Sequence, residues 1–131
     1  METTQYRKPL DYIFTTHLRA RFAERVLQVS KKTDMVKYEL ANRKNLNFEI
    51  KKRILGSVVI EDEEIDSMLR NYLQSTYGNH KYSFYLNGNV IFVAVKQETP
   101  MFVTCYKKDG RVGGFHFAEL YSKYYHTGKL K

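Results

Sequence analysis

The segment from Lys81 to Gly110 constrains the fold more strongly than any other part of the chain. It has the sequence KYSFYLNGNVIFVAVKQETPMFVTCYKKDG, in which β-prone runs alternate with turn-forming residues. Asn87-Gly88 is a strong hairpin signal, because both residues accept the positive φ angles of a two-residue turn. The segment therefore predicts an antiparallel meander over residues 81–106, with strands at Lys81–Leu86, Val90–Lys96 and Met101–Tyr106.

An amphipathic helix is predicted earlier in the chain, where residues 14–25 have the sequence FTTHLRARFAER. Apolar residues recur there at spacings of four, four and three, which is typical of a buried helix stripe: Leu18, Phe22, Val26 and Val29. His17, Arg21 and Arg25 form a second stripe, about 100° further round the helix. Because the second stripe flanks the buried one and does not oppose it, we expect these three side chains at the margin of a cleft.

Residues 30–78 predict a helical elaboration between this helix and the meander. One helix extends to about Asn42, and a second begins near Asn47. The largely acidic segment 61–66 is expected at the start of a third helix, where the helix dipole favours negative charge. Gly78 is expected to end this helix.

The whole chain, residues 1–131, is expected to form a single domain. Residues 1–11 predict an irregular N-terminal arm, because Pro9 cannot continue a helix. The expected fold class is α+β, with N-terminal helices packed on a small C-terminal antiparallel β-sheet and a helical insertion between them.

The charge distribution indicates an anionic partner. The chain has 22 basic and 14 acidic side chains, which give a net charge of +8. The excess is concentrated between Thr16 and Leu55, where eleven Lys or Arg residues stand against four acids. Such a cationic segment is typical of nucleic-acid binding, so we expect the partner to be RNA, either mRNA or tRNA, free or on the ribosome.

The sequence predicts no metal site and no cofactor. The lone Cys105 excludes an internal disulfide and a thiolate-rich zinc site, and the four histidines lie far apart in the chain. A single thiol fits a reducing compartment, and no apolar run approaches the roughly eighteen residues of a membrane span. We expect a protein without a secretory signal or membrane contact, located in the cytoplasm, or in the host cytoplasm if it is phage-encoded.

Metal-free cleavage of RNA is a reaction that these side chains suit. The substrate brings its own nucleophile, the 2′-hydroxyl, so the protein must supply a base, an acid and positive charge at the phosphate. His17 is the candidate base or acid, because the dipole at the start of a helix disfavours its protonated form. Arg21 and Lys96 are the candidate charge stabilisers, and Thr104, a polar residue in an otherwise apolar strand, is the candidate positioning hydroxyl.

Four further residues are candidates for RNA binding: Arg25, Tyr106, His80 and Lys107. We expect Arg25 to contact an outer phosphate, and the Tyr106 ring to stack on a base or contact a phosphate. His80 lies in the loop that precedes the predicted sheet, and Lys107 follows Tyr106 at the end of the third strand.

The alternation of side chains along a strand predicts the surroundings of Thr104. Thr104 should face Val93 and share a side of the sheet with Phe102 and Tyr106. Cys105 should point to the other side, as a small core residue.

Both ends of the chain also resemble a known group of ribonucleases. FTTHLRARFAERV resembles the opening-helix pattern F-S-x-H-x-x-x-R-x-x-x-R of small bacterial and phage proteins, and is similar to the motif of RegB-type phage endoribonucleases. NGNVIFVAVKQETPMFVTCYKKDG is similar to the paired strands of the barnase–colicin D–RelE grouping of toxin-like ribonucleases, which end in V-x-T-x-Y-x-x-D, here Val103, Thr104, Tyr106 and Asp109. The resemblance implies a RelE/barnase-like fold and a metal-independent endoribonuclease, toxin-like or phage-encoded, that cleaves RNA by 2′-hydroxyl attack.

Two alternatives to an enzyme stay open at this point: a catalytically inactive RNA- or ribosome-binding module, and a protein-binding inhibitor of a host factor. An active site predicts that His17, Arg21 and Thr104 meet in one cleft, whereas an inhibitor predicts an exposed apolar patch in the C-terminal segment. Residues 29–78 are longer than a minimal member of the group requires, and would bind RNA, the ribosome or an inhibitor protein of the enzyme.

Overall fold

The structure, a computed structural model, describes residues 12–30, 32–61, 67–112 and 115–120. Within these ranges the chain forms an α+β fold, the coarse class expected from its sequence. The elements follow one another in this order: β1 (Ile13–Phe14), α1 (Thr16–Arg25), α2 (Met35–Leu55), β2 (Val58–Ile60), α3 (Ser67–Tyr77), β3 (Tyr82–Asn87), β4 (Val90–Val95), β5 (Met101–Lys107), β6 (Arg111–Val112) and β7 (Phe115–His116). Residues 117–120 are also helical.

A five-stranded sheet with the order β1-β5-β4-β3-β2 forms the centre of the fold. β3, β4 and β5 pair antiparallel in chain order, and each lies within one residue of a strand predicted from the sequence. The sheet as a whole is mixed and not purely antiparallel, because β1 pairs in parallel with Met101 and Phe102 of β5. β2, which the sequence does not predict, adds to the opposite edge by pairing with β3.

Both N-terminal helices begin at capping residues. The Thr15 hydroxyl accepts a hydrogen bond from the Leu18 backbone N–H at 3.0 Å, and Asp34 caps α2 in the same way. α2 spans 21 residues and consists of two helical segments that meet at a kink, where the backbone of Asn42 leaves helical geometry with φ −118° and ψ 15°. The prediction of two helices, the first ending near Asn42, is confirmed, but the second segment follows the kink directly and does not begin near Asn47. The Asn42 amide donates to the Tyr38 carbonyl oxygen at 2.9 Å, a local bond that bends a helix without ending it.

α3 ends where the sequence predicts, at Gly78, which has a φ of 112°. Of its predicted acidic start at residues 61–66, residues 62–66 lie outside the described residues, as does the predicted N-terminal arm at residues 1–11.

Each face of the sheet is covered by a separate apolar core. α1 and α2 pack on one face, where Phe22 of α1 stacks against Phe92 of β4 with ring centroids 6.1 Å apart. Cys105 is fully buried in this core, as predicted. α3 and the C-terminal residues cover the other face, with Leu73 and Phe117 buried there.

A β-bulge divides β5 into two parts. Val93 pairs with Thr104 as predicted, but the next residue, Ala94, pairs with Phe102, so Val103 is an extra residue in the ladder. Phe102 therefore belongs to the core under α1 and α2, while Tyr106 belongs to the opposite core. The prediction that Phe102 shares a side with Thr104 and Tyr106 is wrong, because strict alternation does not allow for the extra residue.

Arg19 and Glu39 form a buried ion pair that joins α1 to α2. Only 7% of Arg19 and 2% of Glu39 are exposed to solvent. Arg43 is a second donor to the same carboxylate, with its Nε 2.7 Å from Oε2. Arg19 also donates to the Phe14 carbonyl oxygen at 2.9 Å, so β1 is held in the same network.

The ionised form of Glu39 is strongly favoured in this network. The hydrogen bond from Arg43, with the hydrogen bond and charge of Arg19, lowers the pKa of Glu39 to about 2, although burial acts in the opposite direction. A carboxylate whose pKa is depressed in the folded state contributes its stability above the unfolded-state pKa and loses it as the pH falls.

Replacing Glu39 with Gln should lower the free energy of unfolding by about 3–5 kcal/mol, because Arg19 would remain charged and buried without a counter-ion. Wild-type stability should also decline as the pH falls from about 4.5 towards 2. Urea denaturation at several pH values measures both effects. The matched control is Glu49→Gln, which breaks an exposed pair with Lys52 and should change the free energy by less than about 1 kcal/mol. Equal losses in the two variants would contradict a structural role for the buried pair.

Candidate functional site

The position of α1 follows from the shortness of β1. β1 pairs only with Met101 and Phe102, so in the described part of the chain the rest of this β5 edge has no neighbouring strand. α1 begins directly after β1, where the Thr15 backbone N–H donates to the Phe102 carbonyl oxygen at 3.2 Å. At its other end, Arg25 donates to the Cys105 carbonyl oxygen at 2.8 Å. The last turn of α1 is thereby fixed beside the second half of β5.

A cleft of about 600 Å³ lies beside this end of α1, between α1, α3 and the turn that joins β5 to β6. Its lining is cationic and aromatic, with one acid, Glu24. The cations and rings are contributed by Arg25, Lys107, Arg111, Tyr72 and Tyr106. Such a lining suits a ligand with both negative charge and flat apolar surfaces, because guanidinium and ammonium groups bind oxyanions and tyrosine rings stack.

Tyr106 is the centre of a stack of three side chains. The Arg25 guanidinium lies 4.8 Å from the centroid of the Tyr106 ring. The Tyr106 ring also stacks on the Phe117 ring, with a centroid distance of 4.4 Å and an interplanar angle of 19°. Burial, together with the nearby Tyr77 and Tyr72, raises the pKa of Tyr106, so its hydroxyl stays neutral near pH 7. Tyr106 therefore adds no negative charge to the cleft wall.

His17 joins the cleft through Tyr77, the last residue of α3. The His17 Nε2 atom lies 3.5 Å from the Tyr77 hydroxyl oxygen, and the exposed imidazole keeps access to solvent. Tyr77 in turn lies close enough to Tyr106 to help raise the pKa of that phenol. Partial burial lowers the pKa of His17, and the charges of Arg21 and Arg25 lower it further, while Glu24 acts in the opposite direction. The imidazole is thus held in its neutral form near pH 7, the form that a general base requires.

The structure separates three predicted site residues from the cleft. Lys96, at the end of β4, pairs with Glu61 at 3.0 Å. Thr104 is fully buried, so a ligand in the cleft cannot contact its hydroxyl, and Thr104 Oγ1 has no hydrogen-bond partner among the described residues. His80 lies on the loop before β3, where its ring packs against Tyr82 with centroids 6.1 Å apart.

The other predicted residues lie in or beside the cleft. Arg25, Tyr106 and Lys107 line it. Arg21 is next to it on α1, where its guanidinium pairs with Glu24 at 2.7 Å. His17, Arg21 and Thr104 therefore cannot contact the same ligand, because the Thr104 hydroxyl is buried.

Sequence reasoning missed the contributions of α3 and of the β6–β7 hairpin. Tyr72 of α3 is 36% exposed and lines the cleft. Arg111 also lines the cleft, and its Nη2 lies 2.6 Å from the His116 Nε2 across the hairpin. The available signal for Arg111 was its position in the basic turn sequence KKDGR, directly after the last long strand.

Gln28, which also lines the cleft, has an unusual backbone conformation. Its φ is 58°, and it is the single non-glycine residue with positive φ in the described ranges. A side chain in this left-handed region costs roughly 1–2 kcal/mol relative to the ordinary helical conformation. The chain turns here after α1, with the Val29 backbone N–H donating to the Ala23 carbonyl oxygen at 3.0 Å.

The exposed large apolar side chains of the described residues lie outside the C-terminal segment. Four of them are on α2: Val36, Leu40, Phe48 and Leu55. No three His, Cys, Asp or Glu side chains in the described ranges are grouped so that they could share a metal ion. Among the described helices, none combines the length and apolar character that crossing a membrane requires.

Comparison of this chain with protein-family models, curated proteins and solved structures found no match. The resemblance to toxin-like ribonucleases therefore stays a prediction, and the functional argument depends on the cleft itself.

The titration of His17 should respond in opposite directions to two neighbouring substitutions. Arg21→Gln should raise the pKa of His17, because a positive charge is removed, and Glu24→Gln should lower it. Proton NMR of the imidazole over pH 4–9 measures both shifts, with His80 as the internal reference signal. Shifts of the same sign in the two variants would show that His17 does not sense these charges.

Proposed function

We propose that this protein is a metal-independent endoribonuclease that binds single-stranded RNA in the cleft and transfers a proton through His17. The proposal depends on one observation, the series of neighbouring side chains that runs from His17 beside Tyr77 to Tyr106, over which Arg25 lies. This series joins a neutral imidazole to a cationic, aromatic surface, which is the combination that RNA cleavage without a metal requires.

Binding would use the two kinds of side chain in the cleft for two parts of RNA. Arg25, Lys107 and Arg111 would contact phosphate oxygens, and the Arg25 fork can bind two oxygens at once. The rings of Tyr72 and Tyr106 would stack on unpaired bases, the usual mode of single-strand recognition.

Cleavage would proceed by attack of the 2′-hydroxyl oxygen on the adjacent phosphorus. His17 would accept the hydroxyl proton as the O2′–P bond forms, and Tyr77 would orient the imidazole. The P–O5′ bond breaks, and the departing oxygen takes a proton from solvent or from the imidazolium. The products are a 2′,3′-cyclic phosphate and a 5′-hydroxyl end. Arg25 would stabilise the negative charge on the phosphorane, with Arg21 as a more distant contributor.

The proposal omits two roles expected from the sequence. Lys96 is paired with Glu61, and the Thr104 hydroxyl is buried, so neither is assigned to the chemistry. The toxin-like or phage-encoded class, a cytoplasmic location and an inhibitor partner are retained only as extensions of the ribonuclease proposal.

A catalytically inactive RNA-binding module is the second candidate. It is favoured by the pairing of Arg21 with Glu24, which occupies a guanidinium that a phosphate would otherwise use. This candidate has the same cleft and predicts RNA binding without new RNA ends.

RNA cleavage in a chelator should depend on His17. Wild-type protein incubated with total RNA and EDTA should produce new 5′-hydroxyl ends, and His17→Ala should lower the rate by about 10²–10⁴-fold, the usual contribution of a general base. Tyr77→Phe, which removes only the hydroxyl beside the imidazole, should cause a smaller loss. Sequencing of the 5′-hydroxyl ends, with circular dichroism to confirm folding, measures these effects. RNA binding with no cleavage by the wild type would favour the inactive module.

RNA affinity should depend on Arg25 through its charge. Arg25→Ala should weaken binding of single-stranded RNA and reduce the slope of log K against log salt concentration by about 0.7, the value for one lost phosphate contact. Arg25→Lys should restore most of the slope, because it keeps the charge. The matched control is Lys37→Ala, which removes an exposed cation from α2, outside the cleft. Equal changes of slope in Arg25→Ala and Lys37→Ala would indicate that only net charge matters.

A further inference from the structure

We propose that Gln28 recognises the edge of one unstacked nucleobase in the cleft, and that the preferred base is adenine. This inference rests on the proposed function, because it assigns a base preference to the same RNA-binding surface.

The first argument is the backbone conformation of Gln28. Its φ of 58° lies in the region where glycine is favoured, since a Cβ atom crowds the following carbonyl there. Glycine would turn the chain after α1 equally well and without this crowding. A glutamine at such a position is explained if its side chain does something that glycine cannot do.

The second argument is the state of the Gln28 side chain. It is exposed, it lines the cleft, and its amide makes no hydrogen bond to any described residue. Its role is therefore not to hold the described fold together. The amide offers one acceptor oxygen and two N–H donors to whatever enters the cleft.

The third argument is the surroundings of the amide. Tyr72 and Tyr106 supply flat surfaces on which a base can stack, and Arg25 and Lys107 supply charge for the adjoining phosphate. A base held in this way presents its edge to the rim, where a neutral donor–acceptor group can recognise it. Stacking alone does not distinguish bases strongly, whereas an amide, with a donor and an acceptor side by side, can recognise a base edge.

Adenine fits the amide on both of its edges. Its 6-amino group donates to the glutamine oxygen, while a neighbouring ring nitrogen accepts from the glutamine N–H. Purine, which lacks only the 6-amino group, keeps the ring system for stacking and loses the donor. Comparison of these two bases therefore isolates the hydrogen bond from the stacking.

The experiment measures binding by fluorescence anisotropy with oligouridine probes of about ten nucleotides, long enough to span one single-strand site. One probe carries a central adenine and the other a central unsubstituted purine. Every sugar is 2′-O-methylated, so that the nucleophile is blocked and no probe is cleaved. Wild-type protein should bind the adenine probe about fivefold more tightly than the purine probe, the contribution of one hydrogen bond.

Two variants separate the amide from the backbone conformation. Gln28→Gly and Gln28→Ala should both bind the two probes equally, because neither variant keeps the amide that distinguishes them. Gln28→Gly should also raise Tm by a few degrees, because it relieves the crowding, whereas Gln28→Ala keeps a Cβ and should not. Loss of selectivity together with a gain of stability is a combination that a merely structural glutamine cannot produce.

The outcomes distinguish this inference from the function beneath it. If wild-type protein binds both probes equally well, or if the adenine preference survives in the variants, the inference is overturned and the RNA-binding proposal stands. If neither probe binds in a salt-dependent way, the proposed function fails and the inference fails with it.

Discussion

The contact between α1 and the edge of β5 determines where everything else on the cleft side of the molecule can lie. β1 is only two residues long, so it covers the first part of this edge and then gives way to a helix. A helix cannot pair with a strand edge through its backbone, and the carbonyl of Cys105 instead accepts its hydrogen bond from Arg25. The same guanidinium lies over the Tyr106 ring, so one side chain satisfies the sheet edge and forms the wall of the cleft.

The buried Arg19–Glu39 pair supports this arrangement from the other side of α1. It joins α1 to α2 and reaches the Phe14 carbonyl, so the short strand and the helix that follows it are held as one unit. Charged side chains are seldom buried to this extent unless they are paired, and here the guanidinium groups of Arg19 and Arg43 share the Glu39 carboxylate. The position of His17 relative to Tyr77 therefore depends on a network that lies away from the cleft.

Local sequence patterns predicted the local elements, but they did not predict features that depend on contacts between residues far apart in the chain. The Asn87-Gly88 turn and the apolar runs around it gave the three long strands within one residue, because hairpin geometry is set by adjacent residues. The stripe of His17, Arg21 and Arg25 was also visible from helix period alone. Its partner Tyr77 was not, since it is 60 residues further along the chain and only the packing of α3 brings it near.

The other differences between prediction and structure also have physical causes. The kink at Asn42 is where the sequence predicts a break, because the Asn42 side chain bonds the Tyr38 carbonyl oxygen locally, but the second segment of α2 starts directly after it and not near Asn47. β2 was missed because Val58–Ile60 is too short for period-2 alternation to stand out, and it is paired by β3. Thr104 was predicted to be a site residue because it carries a hydroxyl in an otherwise apolar strand. The alternation of side chains along a strand predicts which side of the sheet a residue faces, but not whether other elements cover it, and this hydroxyl is buried.

The bulge at Val103 bears on how the length of this strand can vary between related chains. Loss of Val103 would leave Phe102 opposite Ala94 and Thr104 opposite Val93, so every other side chain of β5 would keep its face. Loss of Cys105 instead would turn Phe102 and its neighbours against the wrong core. Shortening of β5 is therefore compatible with the sheet at the bulge, and the loop at residues 97–99 is the place where added length would be absorbed.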